Sequence, residues 1–184
     1  MNIDCIVIAL IIVCVLVMLF NRKVNIAKVF VEQIKVFRDN RTQKISFWDI
    51  LSHAICPVLL SLIMVIWYEF HIGNELAQSL TTAFSLIFTL MLAFETILVS
   101  KKNSANGIER EVIKQTFISV VCASIFALIG IILSITIPFV SSCIAIKILT
   151  ALILALSFMM TMLLLMIIKR IFIVFIHDSE NNEK

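Results

Sequence analysis

The chain has 184 residues, of which 61% are hydrophobic and 15% are charged, and its formal net charge is +3. Soluble domains are nearer half apolar and a quarter charged, and a globule of this size would leave much of its apolar surface in water. The composition therefore excludes a soluble domain and predicts a membrane protein, whose positive charge orients the chain in the bilayer.

Five apolar segments are long enough to cross a bilayer, whose hydrocarbon core of about 30 Å needs about 20 residues of helix. The predicted spans are residues 3–20, 49–70, 76–100, 111–138 and 143–176. Their apolar runs are unbroken rather than alternating, which indicates helices and not barrel strands. We therefore expect an all-α fold, a polytopic membrane helical bundle of about five transmembrane helices in a single membrane domain. The alternative has four spans, with the first segment outside the membrane.

Basic residues gather on one side of this arrangement. Of the fifteen Lys and Arg residues, seven lie between the first two spans, four lie in residues 101–114, in or beside the loop between the third and fourth spans, and three lie in residues 169–184 at the end of the fifth span and after it. This leaves only Lys147 on the other side. By the positive-inside rule, the N-terminus lies outside the cell and the C-terminus lies in the cytoplasm. The first apolar run is not preceded by basic residues, so we expect a retained anchor rather than a cleaved leader.

The largest segment between spans is the cytoplasmic stretch 21–48. Residues 23–38 of this stretch have the pattern of an amphipathic helix, with Ala27, Phe30, Ile34 and Phe37 on one face. Three interpretations stay open: a solvated helix on the inner ends of the spans, a helix on anionic headgroups, or a docking site for a cytoplasmic protein. Candidate partner- or lipid-binding residues here and in the cytoplasmic loop 101–110 are Lys28, Lys35, Arg38, Arg41, Lys101, Lys102 and Arg110. Residues 177–184 are polar, and we expect a disordered tail.

Two ionisable residues inside the predicted spans are candidates for a functional contact. Glu95 and His53 each lie about five residues from the cytoplasmic end of a span, so a proton-sensing or structural His–Glu pair is one interpretation. In the other, Glu95 extends towards Lys101 or Lys102. Pro57 removes the amide that would bond the His53 carbonyl, which predicts a kink in the second span.

Small and hydroxyl-bearing residues form rows on the later spans. The row of the fourth span, whose small side chains allow close helix packing, comprises Ser119, Ala123, Ala127 and Gly130, and Ala151 and Ala155 repeat the spacing in the fifth. The sequence does not decide whether these rows pack within the chain or between subunits. A Ser/Thr row, Ser79, Thr82, Ser85 and Thr89, lies on one face of the third span. This row suits either interhelical hydrogen bonds or the wall of an oligomeric pore.

The motifs of common enzymes are missing from the sequence. It has no Walker loop, GxSxG elbow or HExxH, and its cysteines (Cys5, Cys14, Cys56, Cys122, Cys143) have no metal-ligand spacing. We therefore expect neither catalysis nor a cofactor or metal.

A resemblance to a known group is carried by residues 47–99, which read FWDILSHAICPVLLSLIMVIWYEFHIGNELAQSLTTAFSLIFTLMLAFETILV, and by KRIFIVFI at 169–176. These stretches resemble small multi-pass proteins of bacterial antiviral-defence islands, among them the KwaA membrane subunits of the Kiwa antiphage system. The likeness covers about half the chain and rests on hydrophobic pattern. It implies an oligomeric inner-membrane sensor that works with a cytoplasmic, DNA-binding partner, and it transfers no functional residue.

Together these features predict a non-enzymatic inner-membrane sensor or scaffold. It would form homo-oligomers, for which we expect a tetramer, contact an anionic inner leaflet, and recruit a cytoplasmic protein without binding nucleic acid itself. The rival functions are a pore-forming or depolarising effector and an accessory subunit of a transporter.

Overall fold

The computed structural model describes residues 13, 17, 26–36, 51–102 and 107–182, and these are helical apart from short connections. The elements are α1 (Ile26–Val36), a π-helical segment (Leu51–Ile55) that leads into α2 (Cys56–Ile66), α3 (Asn74–Lys102), α4 (Gly107–Thr136), a 3₁₀ turn (Ile137–Phe139) and α5 (Cys143–Asn182). Within those ranges no residue is in a strand, so the predicted all-α class is confirmed.

Three helices are long and apolar enough to cross a membrane: Asn74–Lys101, Arg110–Phe139 and Cys143–Phe172. They coincide with the third, fourth and fifth predicted spans. The second predicted span is represented by a shorter apolar helix, Leu51–Ile66. The first predicted span lies outside the described residues, apart from Val13 and Val17.

The π-helical segment ends one residue before α2 begins, and Pro57 lies in the first turn of α2. Proline has no amide to donate to the carbonyl four residues earlier, which here belongs to His53. In a π-helix each bond reaches one residue further, so the widened turn suits the place where the normal bond is missing. The π-helical segment therefore lies where the sequence predicts the kink.

α3 packs on α4 through a seven-residue repeat. Ala77, Phe84, Met91 and Leu98 are buried at intervals of seven, and the partly buried Leu80, Ile87 and Phe94 each follow three residues later. This is the a/d pattern of helices that pack at a shallow crossing angle. The Ser/Thr row therefore lies on the other side of α3.

α4 is the central helix. Half of the residues in its most apolar stretch are buried, against 17% for α3 and 22% for α5. This is because α1, α3 and α5 all pack against α4. α2 packs on α5 instead. The connection between α2 and α3 also docks on α5, since the Ile72 side chain is buried and its amide donates to the Thr150 hydroxyl oxygen at 3.2 Å.

Two segments differ from the predicted boundaries. α5 continues to Asn182, through most of the segment 177–184 for which the sequence predicts a disordered tail. That segment contains neither glycine nor proline, so nothing in it forces the helix to stop. α1 occupies Ile26–Val36 within the predicted 23–38, and residues 37–50 lie outside the described part of the chain.

Candidate functional site

Basic side chains from two segments that are distant in sequence lie near one another. Lys28 and Lys35 are exposed on α1, and Lys114 is exposed near the start of α4. The Lys35 ammonium lies 2.7 Å from a Glu32 carboxylate oxygen. The hydrogen bond from Lys35, helped by the charges of Lys114 and Lys28, holds the pKa of Glu32 below its ordinary value against slight desolvation. We call Lys28, Lys35 and Lys114, with Glu32 among them, the basic patch.

The other predicted basic residues divide into two groups. Lys101 and Lys102 end α3, and Arg110 is exposed in the first turn of α4, so these three belong to the same end of the helices as Lys114. Arg38 and Arg41 lie outside the described residues.

The buried face of α1 is centred on Gln33 rather than on the predicted set Ala27, Phe30, Ile34 and Phe37. Gln33 is only 5% exposed, whereas Ile34 is 47% exposed, and Phe37 lies outside the described residues. Residues at spacings of three, four and seven from Gln33 share its face and are partly buried: Ile26, Val29, Phe30 and Val36. The sequence reasoning grouped apolar residues alone and so missed the polar residue between them.

α1 contacts α4 well away from the end of that helix. The rings of Phe30 and Phe126 are 5.5 Å apart between centroids, and Phe126 is near the middle of the Arg110–Phe139 helix. The apolar face of α1 therefore reaches deeper than a helix confined to the inner ends of the spans would.

A largely apolar cavity of about 290 Å³ lies between α1, the π-helical segment, α4 and α5. Its walls include Phe30 and Gln33 of α1, His53, Cys122 and Phe126 of α4, and Leu163 of α5. Within the described part of the chain, neither amide atom of the Gln33 side chain has a hydrogen-bond partner. His53 Nδ1 lies 2.9 Å from the Ser52 hydroxyl oxygen. The cavity thus combines an apolar wall with two polar side chains.

Glu95 accepts a hydrogen bond from the Ser124 hydroxyl at 2.9 Å, and the Ser124 hydroxyl also lies 3.0 Å from the Val120 carbonyl oxygen. Ser124 is two residues from Cys122, which is about 200° around the helix. Because His53 shares a cavity with Cys122, His53 and Glu95 lie on opposite sides of α4. The structure gives Glu95 a serine as its partner, which neither interpretation of the sequence included.

The small residues of α4 pack inside the chain. Ser119, Ala123 and Ala127 are fully buried. A Cβ atom added to Gly130 would lie 2.9 Å from the ring of Phe84, so glycine permits this close approach of α3 and α4. In α5, Ala151 and Ala155 are partly buried.

The Ser/Thr row of α3 is not involved in this packing. Ser79, Thr82, Ser85 and Thr89 are exposed, and each hydroxyl donates to the backbone carbonyl four residues earlier at 2.8–3.1 Å. The row therefore satisfies its own hydrogen bonds on a face turned away from α4.

The fold and these sites define an α-helical protein with three helices of membrane-spanning length. Comparison with protein-family models, curated proteins and solved structures gives no match. Among the described residues, no group of three His, Cys, Asp or Glu side chains could hold a metal ion.

Proposed function

We propose that this chain is a non-enzymatic sensor or scaffold of the bacterial inner membrane, with five spans and a cytoplasmic face that recruits a protein partner. The observation that carries the proposal is the basic patch, in which Lys28 and Lys35 of α1 and Lys114 of α4 act on one carboxylate. These residues come from the two segments that the positive-inside rule assigns to the cytoplasm.

The opposite ends of the helices carry residues that suit a membrane surface. Trp67, Tyr68 and Phe139 are strongly exposed in the connections at that end. Exposed tryptophan and tyrosine are typical of the headgroup level of a bilayer. Because such aromatic residues occur at both membrane surfaces, they mark the depth of this end, and the orientation rests on the basic residues.

The patch is suited to an acidic surface. Two of its three lysines belong to a helix that packs on the bundle through Phe30 and Gln33, so the helix that carries them has a defined position. Exposed basic charges grouped in this way favour encounter with a complementary partner and make that encounter sensitive to salt. An acidic protein is the proposed partner, and the anionic lipid surface is the competing one.

The test is charge reversal. Cells producing the Lys28→Glu, Lys35→Glu double variant are crosslinked, and the proteins recovered with it are compared with those of the unaltered chain. The matched control is Lys147→Glu, on the side assigned to the exterior. We expect the double variant to insert normally and to lose a partner that the control retains; recovery of the same partner by all three chains would contradict the docking role.

A role in antiphage defence and a homo-oligomeric state, with four subunits as the expected number, are proposed from the resemblance of residues 47–99 and 169–176. Phage plating on cells with and without the gene tests the first. The mass of the detergent-solubilised particle tests the second.

The second candidate function, a pore-forming effector, is favoured by the exposed Ser/Thr row of α3. Such a row could line a channel between subunits. Purified protein in liposomes discriminates: ion flux that Ser85→Leu abolishes favours the pore, and tight vesicles favour the scaffold.

A further inference from the structure

The Gln33 side chain is buried with no hydrogen-bond partner in the described part of the chain, and it lines a cavity. An amide in an apolar environment is costly unless it is hydrogen-bonded. A primary amide both donates and accepts, so the group that would satisfy it is one that does the same.

The size of the cavity limits what can reach this amide. A cavity of 150 Å³ in another protein holds benzene, which has six non-hydrogen atoms. The cavity beside Gln33 is about 290 Å³, so by the same proportion it holds roughly twelve non-hydrogen atoms. Ile34, which also lines it, is 47% exposed, so the cavity reaches the surface on that side.

The walls set the chemistry of the rest of the ligand. Among the described residues that line the cavity, all except Gln33 and His53 are apolar, and they include Phe30, Cys122, Phe126 and Leu163. The lining residues come from four different elements. A hydrocarbon chain is the ligand that such a wall favours. A single polar head would be bound at Gln33.

We infer that this cavity binds a single-chain amphiphile of about ten carbons with an uncharged head that donates and accepts hydrogen bonds, such as a fatty amide or a protonated fatty acid. The head pairs with the Gln33 amide and the chain fills the space between α1, α4 and α5. This inference stands independently of the proposed recruitment of a partner.

The first test is a chain-length series. Primary amides of six to sixteen carbons are added to the purified full-length chain in detergent, and native mass spectrometry measures occupancy. Affinity is expected to rise by about fourfold per methylene up to roughly ten carbons and then to level off, because further methylenes leave the cavity. A rise that continues at the same rate to sixteen carbons is the signature of partition into the detergent and would overturn the inference.

The second test removes each half of the site. Gln33→Leu removes the hydrogen bonds and should weaken decanamide binding by about tenfold, while Ala54→Phe fills the cavity and should abolish binding. The matched controls are Gln115→Leu on α4 and Ala83→Phe on the exposed face of α3, both outside the cavity. Binding of decanamide to Gln33→Leu as tightly as to the unaltered chain would overturn the inference, whether or not Ala54→Phe folds.

A stability measurement separates a binding role from a structural one. Without ligand, Gln33→Leu should melt at a higher temperature than the unaltered chain, because the unsatisfied amide is gone. At the same concentration, decanamide should raise the melting temperature of the unaltered chain by more than that of Gln33→Leu. A lower melting temperature for ligand-free Gln33→Leu would make Gln33 a structural residue and contradict the inference.

Two other occupants are distinguished in the same experiments. Vesicles of didecanoyl phosphatidylcholine offer ten-carbon chains whose ester carbonyls only accept, and retention of this lipid in preference to decanamide would assign the site to membrane lipid instead. A two-chain mass that Gln33→Leu abolishes would assign it to a second copy. Either result overturns the binding of a free amphiphile.

Discussion

The polar side chains between the helices are of two kinds, those with a hydrogen-bond partner and those for which the described residues offer none. Ser124 and Glu95 satisfy each other across α3 and α4. Gln33, equally enclosed by apolar neighbours, has no partner within the described residues. A buried polar group costs little when it is bonded and much more when it is not. Removing the Ser124 hydroxyl, the partner of Glu95, should therefore lower the stability of the fold. Removing the unpartnered amide of Gln33 should raise it.

Ser124→Ala should lower the stability of the protein, because Glu95 loses its hydrogen-bond donor. We expect a loss of about 1 kcal/mol, the usual size of a hydrogen bond between membrane helices. Thermal unfolding in detergent, followed by circular dichroism, measures it. The control is Ser79→Ala, whose hydroxyl bonds only to its own helix; equal effects of the two substitutions would show that the Ser124–Glu95 contact contributes nothing.

The ion pair on α1 makes a small, pH-dependent contribution. Because the pKa of Glu32 is lower in the folded chain than its ordinary value, the pair stabilises the fold above the unfolded pKa. This contribution is lost as the pH falls through the lowered, folded value. Melting temperatures of the unaltered chain and Glu32→Gln should therefore differ slightly at neutral pH and converge as the pH falls through the lowered pKa of Glu32. A difference that grows on acidification would contradict this sign.

At the scale of the elements, α3 and α4 depend on close approach along a repeat of seven. Phe84 of that repeat occupies the space left open by Gly130, at a distance of 2.9 Å from where a Cβ atom would be. Extra atoms in a packed interface force neighbouring side chains to move.

Gly130→Val should therefore destabilise the helix pair by about 1–3 kcal/mol. Gly73→Ala is the control, since a Cβ atom there meets nothing within 4 Å. Thermal unfolding of both variants checks the prediction. Unchanged melting of Gly130→Val would mean that Phe84 moves aside without cost.

The sequence predicted the long helices better than the sites between them. Apolar length alone determines α3, α4 and α5, because a helix that satisfies its own backbone is the form such a run takes in lipid. Which face of a helix packs inward depends on its neighbours, and that information is absent from a single apolar run. The pairing of Glu95 with Ser124 is not apparent for this reason. The position of Gln33 could have been found, since Val29, Phe30 and Val36 surround it at helical spacing.

At the scale of the whole molecule, charge is distributed unevenly along the helix axes. Lys101, Arg110 and Lys114 lie at one end of α3 and α4, and the exposed Trp67 and Phe139 lie in the connections at the other. By the positive-inside rule, we expect such a distribution to orient the chain with its basic end in the cytoplasm. The proposed recruitment of a cytoplasmic partner depends on that orientation, since a basic patch outside the cell could not meet the partner.

Labelling of single cysteines tests the orientation most directly. Glu111→Cys and Ser141→Cys place one thiol at each end and leave every Lys and Arg in place, in a background whose five native cysteines are replaced by serine. A membrane-impermeant maleimide is applied to intact spheroplasts and to lysed ones. We predict that Ser141→Cys reacts in intact spheroplasts and that Glu111→Cys reacts only after lysis; reaction of Glu111→Cys in intact spheroplasts would contradict the orientation and the proposed function with it.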